Sequence, residues 1–136
     1  RMKYRLELTD TQLNIVLRAV NLMMRTGMGQ TDDLTEWLVT MGDNIKFDTS
    51  TEKGKRVFED YYSTREAIRP VIHGVMMGCW RGPNRKSDTV LELETLYEAL
   101  RHQEWLDTEE RFESDIRSRE PMQWGNEPIP KIERVE

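Results

Sequence analysis

The sequence predicts an α+β fold that is mostly helical, with a short N-terminal strand in a small antiparallel sheet and four to five helices. Three observations lead there. Residues 2–8 alternate apolar and polar side chains. Successive stretches from Thr9 onward set apolar residues at helical spacing between capping and breaking residues. Pro121, Pro128 and Pro130 stop any helix from running through the C-terminal end.

Taken in order, Tyr4, Leu6 and Leu8 fall on one face of the first segment and Lys3, Arg5 and Glu7 on the other, the pattern of a half-buried strand. Thr9 and Gln12 form a capping box, so a helix starts there. Its stripe is Leu13, Val16, Leu17, Val20 and Met24. Ile15, Leu22 and Met23 widen the apolar arc beyond one neighbour's reach, which places this helix centrally or at a subunit interface. Gly27 and Gly29 end it, and Thr31 is placed to cap a second helix carrying Leu34, Trp37, Leu38 and Met41 up to Gly42. Ile45 and Phe47 alternate with polar neighbours over residues 44–48, a second short strand.

A third helix from Thr51 carries Val57, Phe58, Tyr61, Ile68 and Ile72 on one stripe, and Pro70 must kink it or end its regular bonding. Residues 75–80 fit either a last helical turn or a strand. Arg81-Gly82-Pro83-Asn84 is turn chemistry. A fourth helix from about Asp88 turns Val90, Leu93, Tyr97 and Leu100 inward. Asp107 and Glu110 offer a capping box to a short fifth helix with Phe112 and Ile116. Residues 2–120 are thus expected to form one helix-rich domain, and 121–136 an extended tail anchored by Ile129, Ile132 and Val135.

With 136 residues, 37% of them hydrophobic and 33% charged, the chain has the composition of a soluble globular domain. No apolar run nears the roughly 20 residues that span a bilayer, so no membrane association is expected. The single cysteine, Cys79, excludes an internal disulfide and suits a reducing compartment, hence the cytoplasm. A net charge of −5 argues against general nucleic-acid binding. The charge is nevertheless uneven. Glu92, Glu94, Glu98, Glu104, Asp107, Glu109, Glu110, Glu113 and Asp115 load the last third, while Arg65, Arg69, Arg81, Arg85 and Lys86 gather in the middle, where an anion would be steered.

Arg65 sits on the inward stripe of the third helix, where a bare charge is costly, so something anionic must meet it. A carboxylate such as Glu36, Glu59 or Asp60 is the ordinary partner and a ligand the other. Arg69 lies one turn along, and two guanidiniums so placed can fork onto phosphate oxygens. Trp80, Arg81, Asn84, Arg85 and Lys86 combine a stacking ring, cations and an amide, which suits either a base or pyrophosphate, or a solvated basic turn anchored by tryptophan. His73 lies beside the Arg69 face. One cysteine and two distant histidines build no tetrahedral zinc site, and there is no P-loop, GxSxG elbow or HExxH helix. No metal, no cofactor and no catalytic residue is expected.

The run of strand, Leu8-Thr9, long helix and Arg25-Thr26-Gly27-Met28-Gly29-Gln30 resembles the opening of small uncharacterised proteins encoded by tailed bacteriophages. In that pattern an arginine ends the helix and a Gly-Gln pair follows, the places filled here by Arg25 and Gly29-Gln30. Phage proteins of this size include inhibitors that sequester the cyclic nucleotide or cyclic ADP-ribose signals of bacterial immunity, and the Thoeris anti-defence sponges are the nearest type. The resemblance implies a non-enzymatic homo-oligomer in the host cytoplasm, with arginines and an aromatic residue around a small anionic nucleotide-like ligand. Arg25, Arg65, Arg69, Trp80, Arg81, Asn84 and Arg85 are the expected ligand-binding residues. The alternative is an interaction inhibitor that docks on a host protein through its acidic C-terminal helices.

Overall fold

The computed structural model describes residues 2–42, 46–79 and 86–136. Four helices are present among them: α1 (Asp10–Gly27), α2 (Asp32–Thr40), α3 (Glu52–Cys79) and α4 (Asp88–Leu106). A single 3-10 turn at Ile116–Ser118 follows. The chain divides into two compact units, one of Arg1–Met24 with Lys86–Glu136 and the other of Arg25–Arg85.

In the first unit, the capping box opens α1 as its sequence requires. The Thr9 N–H donates to Gln12 Oε1 at 2.9 Å, and the Gln12 N–H donates to Thr9 Oγ1 at 3.2 Å. Leu17 and Val20 of α1 form the core with Leu100 of α4, joined by Leu13, Val16, Leu93, Leu96, Tyr97 and Ile132. Ser87 caps α4 by accepting from the Val90 N–H. The segment after the 3-10 turn lies extended along α4, antiparallel to it, and is held by three acceptors at i, i+3 and i+6. Glu98 Oε2 accepts from the N–H of Met122 and from Trp124 Nε1, Thr95 Oγ1 from the N–H groups of Trp124 and Gly125, and Glu92 Oε1 from those of Asn126 and Glu127. A Cβ at position 125 would lie 2.2 Å from Glu92 Oε1, so a larger residue there would push that carboxylate aside. Ile132 reaches the core, whereas Val135 stays exposed.

In the second unit, α1 ends in a glycine-centred stop. Gly29 takes φ +81°, the Gln30 N–H donates to the Arg25 carbonyl and the Gly29 N–H to that of Thr26. Helix α2 finishes with Met41 itself left-handed at φ 52°, one residue before the glycine that the sequence offers for that role. Phe47 packs on Phe58 and Tyr61 with ring centroids 5.3 and 4.9 Å apart, tying the loop before α3 to its first turns. Pro70 lies inside α3, which continues to Cys79.

The expected α+β class is therefore corrected: the described residues contain helices and turns, and no strand or sheet. Residues 2–8 keep their alternation but have no strand to bond with, and Tyr4 and Leu6 stand exposed. Alternation specifies faces, whereas a strand also needs a neighbour for its N–H and C=O groups. Of the second expected strand, residues 44 and 45 lie outside the described residues, and 46–48 are irregular. The fifth helix is reduced to the 3-10 turn, capped by Asp115, which accepts from the Arg117 N–H. Phe112 and Ile116 are too few apolar residues to give a longer helix a buried face. No helix among the described residues is long and apolar enough to cross a membrane.

Candidate functional site

Helix α2 carries Asp32, Asp33 and Glu36 in its first turns, and each meets an arginine of the second unit. Arg69 forks onto Asp32, Nε to Oδ1 at 2.9 Å and Nη2 to Oδ2 at 3.5 Å. Arg25 donates Nη1 to Gln30 Oε1 at 2.9 Å and sets Nε 3.3 Å from Asp33 Oδ2. Arg65 donates Nε to Glu36 Oε2 at 3.1 Å and also reaches Glu66. Three of the sequence-predicted residues, Arg25, Arg65 and Arg69, are thus brought to one helix. Trp80, Arg81, Asn84 and Arg85 lie outside the described residues.

The three pairs differ in depth. Arg65 is the most covered of the three guanidiniums, and the carboxylate it needs is Glu36, one of the partners its position on the stripe demands. Glu36 also accepts from the Tyr61 hydroxyl. That hydrogen bond, with burial and the Glu36 charge behind it, pushes the Tyr61 phenol above its ordinary value. The Arg69–Asp32 pair is about half exposed, in a setting where ion pairs contribute only ~0.2–1 kcal/mol and exchange partners readily.

Beside that pair opens a cleft of about 500 Å³ lined by Thr31, Asp32, Glu66, Arg69, Pro70 and His73. This volume lies within the range of small-molecule sites, roughly 300–1,000 Å³. Thr31 occupies the N-cap position of α2, yet its hydroxyl makes no capping bond. The residue is 5% exposed and borders the cleft. Pro70, which also lines the cleft, has no N–H to give the Glu66 carbonyl, so the helix lacks that i to i−4 bond. The cleft is therefore lined by donors (the Arg69 guanidinium, the His73 ring and the Thr31 hydroxyl) and by the carboxylates of Glu66 and Asp32.

Sequence reasoning finds Arg69 and His73 here but misses Thr31, read as a cap, and the lining roles of Asp32 and Glu66. One signal was available. Asp32 and Glu36 are four residues apart, the same spacing as Arg65 and Arg69, so two helices can pair them in register.

The acids of α4, by contrast, are engaged within the first unit. Besides Glu92 and Glu98, Glu94 accepts from Lys86 Nζ at 2.8 Å, and Arg117 bridges Glu104 at 2.7 Å and Asp115 at 2.8 Å. The Arg117 hydrogen bonds hold the Asp115 carboxyl below its ordinary value. His102 sits 2.9 Å from the Arg117 carbonyl through Nδ1. Among the described residues no group of three or more His, Cys, Asp or Glu is arranged to hold a metal ion. Comparison of the chain with protein-family models, curated proteins and solved structures finds no match.

Proposed function

We propose that this chain is a phage-encoded, non-enzymatic binding protein that sequesters a small anionic nucleotide-derived signal, of the cyclic nucleotide or cyclic ADP-ribose type, in the host cytoplasm. The observation that carries the reading is the cleft at the N-terminal end of α2, where Arg69 and His73 line a nucleotide-sized volume. A helix N-terminus favours anions through its first N–H groups and its dipole, and a guanidinium beside it adds a charged fork. Arg25 and Arg65 hold α2 in place, so they act on the cleft through the helix. The resemblance of the chain's opening to small phage proteins supplies the biological setting, and homo-oligomers belong to the same reading.

The interaction-inhibitor alternative draws less support from the molecule. It depends on the acids of α4 and of the segment after it, of which Glu92, Glu94, Glu98 and Glu104 are each bonded within their own unit while Glu109, Glu110 and Glu113 stand exposed.

The test is a thermal-shift panel of cyclic dinucleotides, cyclic oligonucleotides and ADP-ribose derivatives, followed by recovery of the ligand after denaturation. A ligand of one chemical class should raise the melting temperature, lose that effect with Arg69→Ala, and be released unchanged. Recovery of a converted product would make the chain an enzyme. No shift with any member of the panel would remove the nucleotide reading.

A further inference from the structure

We propose that copies of this chain join head to tail, with Phe112 of one copy seated in a basic recess at the start of α3 in the next. The proposal rests on observations separate from the ligand cleft, and it names the surfaces by which a homo-oligomer would form.

Phe112 stands 67% exposed, yet its backbone is braced. Its carbonyl accepts from the indole Nε1 of buried Trp105 at 3.3 Å and from the Asp115 N–H at 3.1 Å. An aromatic ring held out in solvent on a braced loop loses little freedom when it docks, which is what an interface anchor requires. Leu106 and Ile116, at the two ends of that loop, are exposed as well, so the ring is not an isolated apolar residue. The free charge around it is of one sign. Glu109, Glu110 and Glu113 are exposed and have no ion-pair partner among the described residues. Arg111, the cation among them, is turned onto the Trp105 ring and donates to the Leu106 carbonyl.

The second unit carries the counterpart. Beside the first turns of α3 lies a recess of about 240 Å³ whose lining includes Lys46, Phe47, Asp48, Lys53 and Val57. It falls below the roughly 300–1,000 Å³ of small-molecule sites and has room for one side chain. Gly54 lets the preceding chain cross α3 closely there, since a Cβ at that position would stand 1.6 Å from the Asp48 carbonyl oxygen. Val57, Phe58 and Tyr62 leave an apolar surface exposed at its edge, the two rings stacked with centroids 6.3 Å apart. Lys46, Lys53 and Arg56 are exposed and likewise have no carboxylate partner among the described residues. Asp48 is the one acid of the recess, and its carboxylate is engaged by the N–H and hydroxyl of Ser50.

An aromatic knob ringed by acids and an apolar socket ringed by cations are complementary in shape and in charge, and neither is covered by the chain that carries it. Because knob and socket are different surfaces, the contact is heterologous and repeats from copy to copy until it closes as a ring.

The experiment is sedimentation equilibrium of the whole chain and of two variants. Phe112→Ala removes the knob, and Lys46→Glu with Lys53→Glu reverses the charge of the socket. Circular dichroism of each confirms that it is folded. The wild-type chain should self-associate and both variants should do so more weakly, Phe112→Ala by about thirtyfold, the scale of one anchor residue. Mixed together, the two variants should pair one to one and stop there, because one brings an intact socket and the other an intact knob. Adding Glu110→Lys and Glu113→Lys to the lysine reversal should restore self-association. A wild-type chain that stays monomeric, a mixture that does not pair, or a charge swap that does not rescue overturns the proposal. A monomeric chain that captures a basic host protein through Phe112 overturns it too, by giving the knob another socket. None of these results bears on the nucleotide panel, so this contact and the proposed function stand or fall separately.

Discussion

The acids of α4 and the acids of α2 are similar in sequence and opposite in use. On α4, Glu92 and Glu98 accept from main-chain N–H groups of residues 122–127, and with Thr95 they hold one segment at three successive points. On α2, Asp32 accepts from a half-exposed arginine side chain at the mouth of a cleft. A carboxylate that holds several donors of one segment is structural, because removing it releases them together. A carboxylate on a solvated guanidinium is exchangeable, because either partner can turn to water or to another ion. The comparison assigns the bracing of a chain segment to Glu92 and Glu98 and an exchangeable ion pair to Asp32.

The largest effect that sharpens this contrast is in the first unit's core. Leu100→Ala should cost ~2–5 kcal/mol in chemical denaturation, since Leu100 is 4% exposed at the meeting of α1 and α4. Thr95→Val comes next, at ~1–3 kcal/mol. It keeps the shape of a side chain that is 1% exposed but takes the acceptor from the N–H groups of Trp124 and Gly125. The same change should raise hydrogen exchange at those two amides, and unaltered exchange would break the strap account. Glu98→Ala should cost ~1–2 kcal/mol and free the Trp124 indole, visible as a change in tryptophan fluorescence. Asp32→Asn should shift stability least, by under ~1 kcal/mol. A loss as large as that of Thr95→Val would make Asp32 a structural acid and collapse the distinction.

The two regions also answer pH in opposite senses. Asp115 has its folded value lowered by Arg117, so the stabilisation it provides is present above the unfolded carboxylate pKa of ~3.9 and is lost as pH falls through the folded value. Tyr61 has its folded value raised, chiefly by Glu36, so its contribution is present below the unfolded phenol value of ~10 and disappears as pH rises beyond it. Melting curves of Asp115→Asn between pH 2 and 5 should show a flatter acid limb than the wild-type chain. Tyr61→Phe should flatten the alkaline limb.

What could be read in the sequence was local. The Thr9–Gln12 box and the glycine stop after Arg25 depend on residues within a few positions of one another, and the demand of Arg65 for an acid followed from its place on one stripe. The expected N-terminal strand failed because the alternation of Tyr4, Leu6 and Leu8 describes a face without supplying a partner. The acids of Glu92 and Glu98 read as a solvated face because the amides they hold lie 24 to 35 residues away, a relation no periodicity encodes. The cleft was half legible. Arg69 and His73 stand four residues apart on α3, but Thr31 and Asp32 join them only through the docking of α2.

The most direct test of the account is an NMR titration of the labelled chain with the cyclic dinucleotides and ADP-ribose derivatives of the thermal-shift panel, following backbone amide shifts. The account predicts that the amides of Asp32 to Leu34 and the Arg69 Nε–H signal move together and saturate, while those of Met122, Trp124, Asn126 and Glu127 stay in place. Shifts confined to the tail on α4, with α2 unchanged, would contradict it.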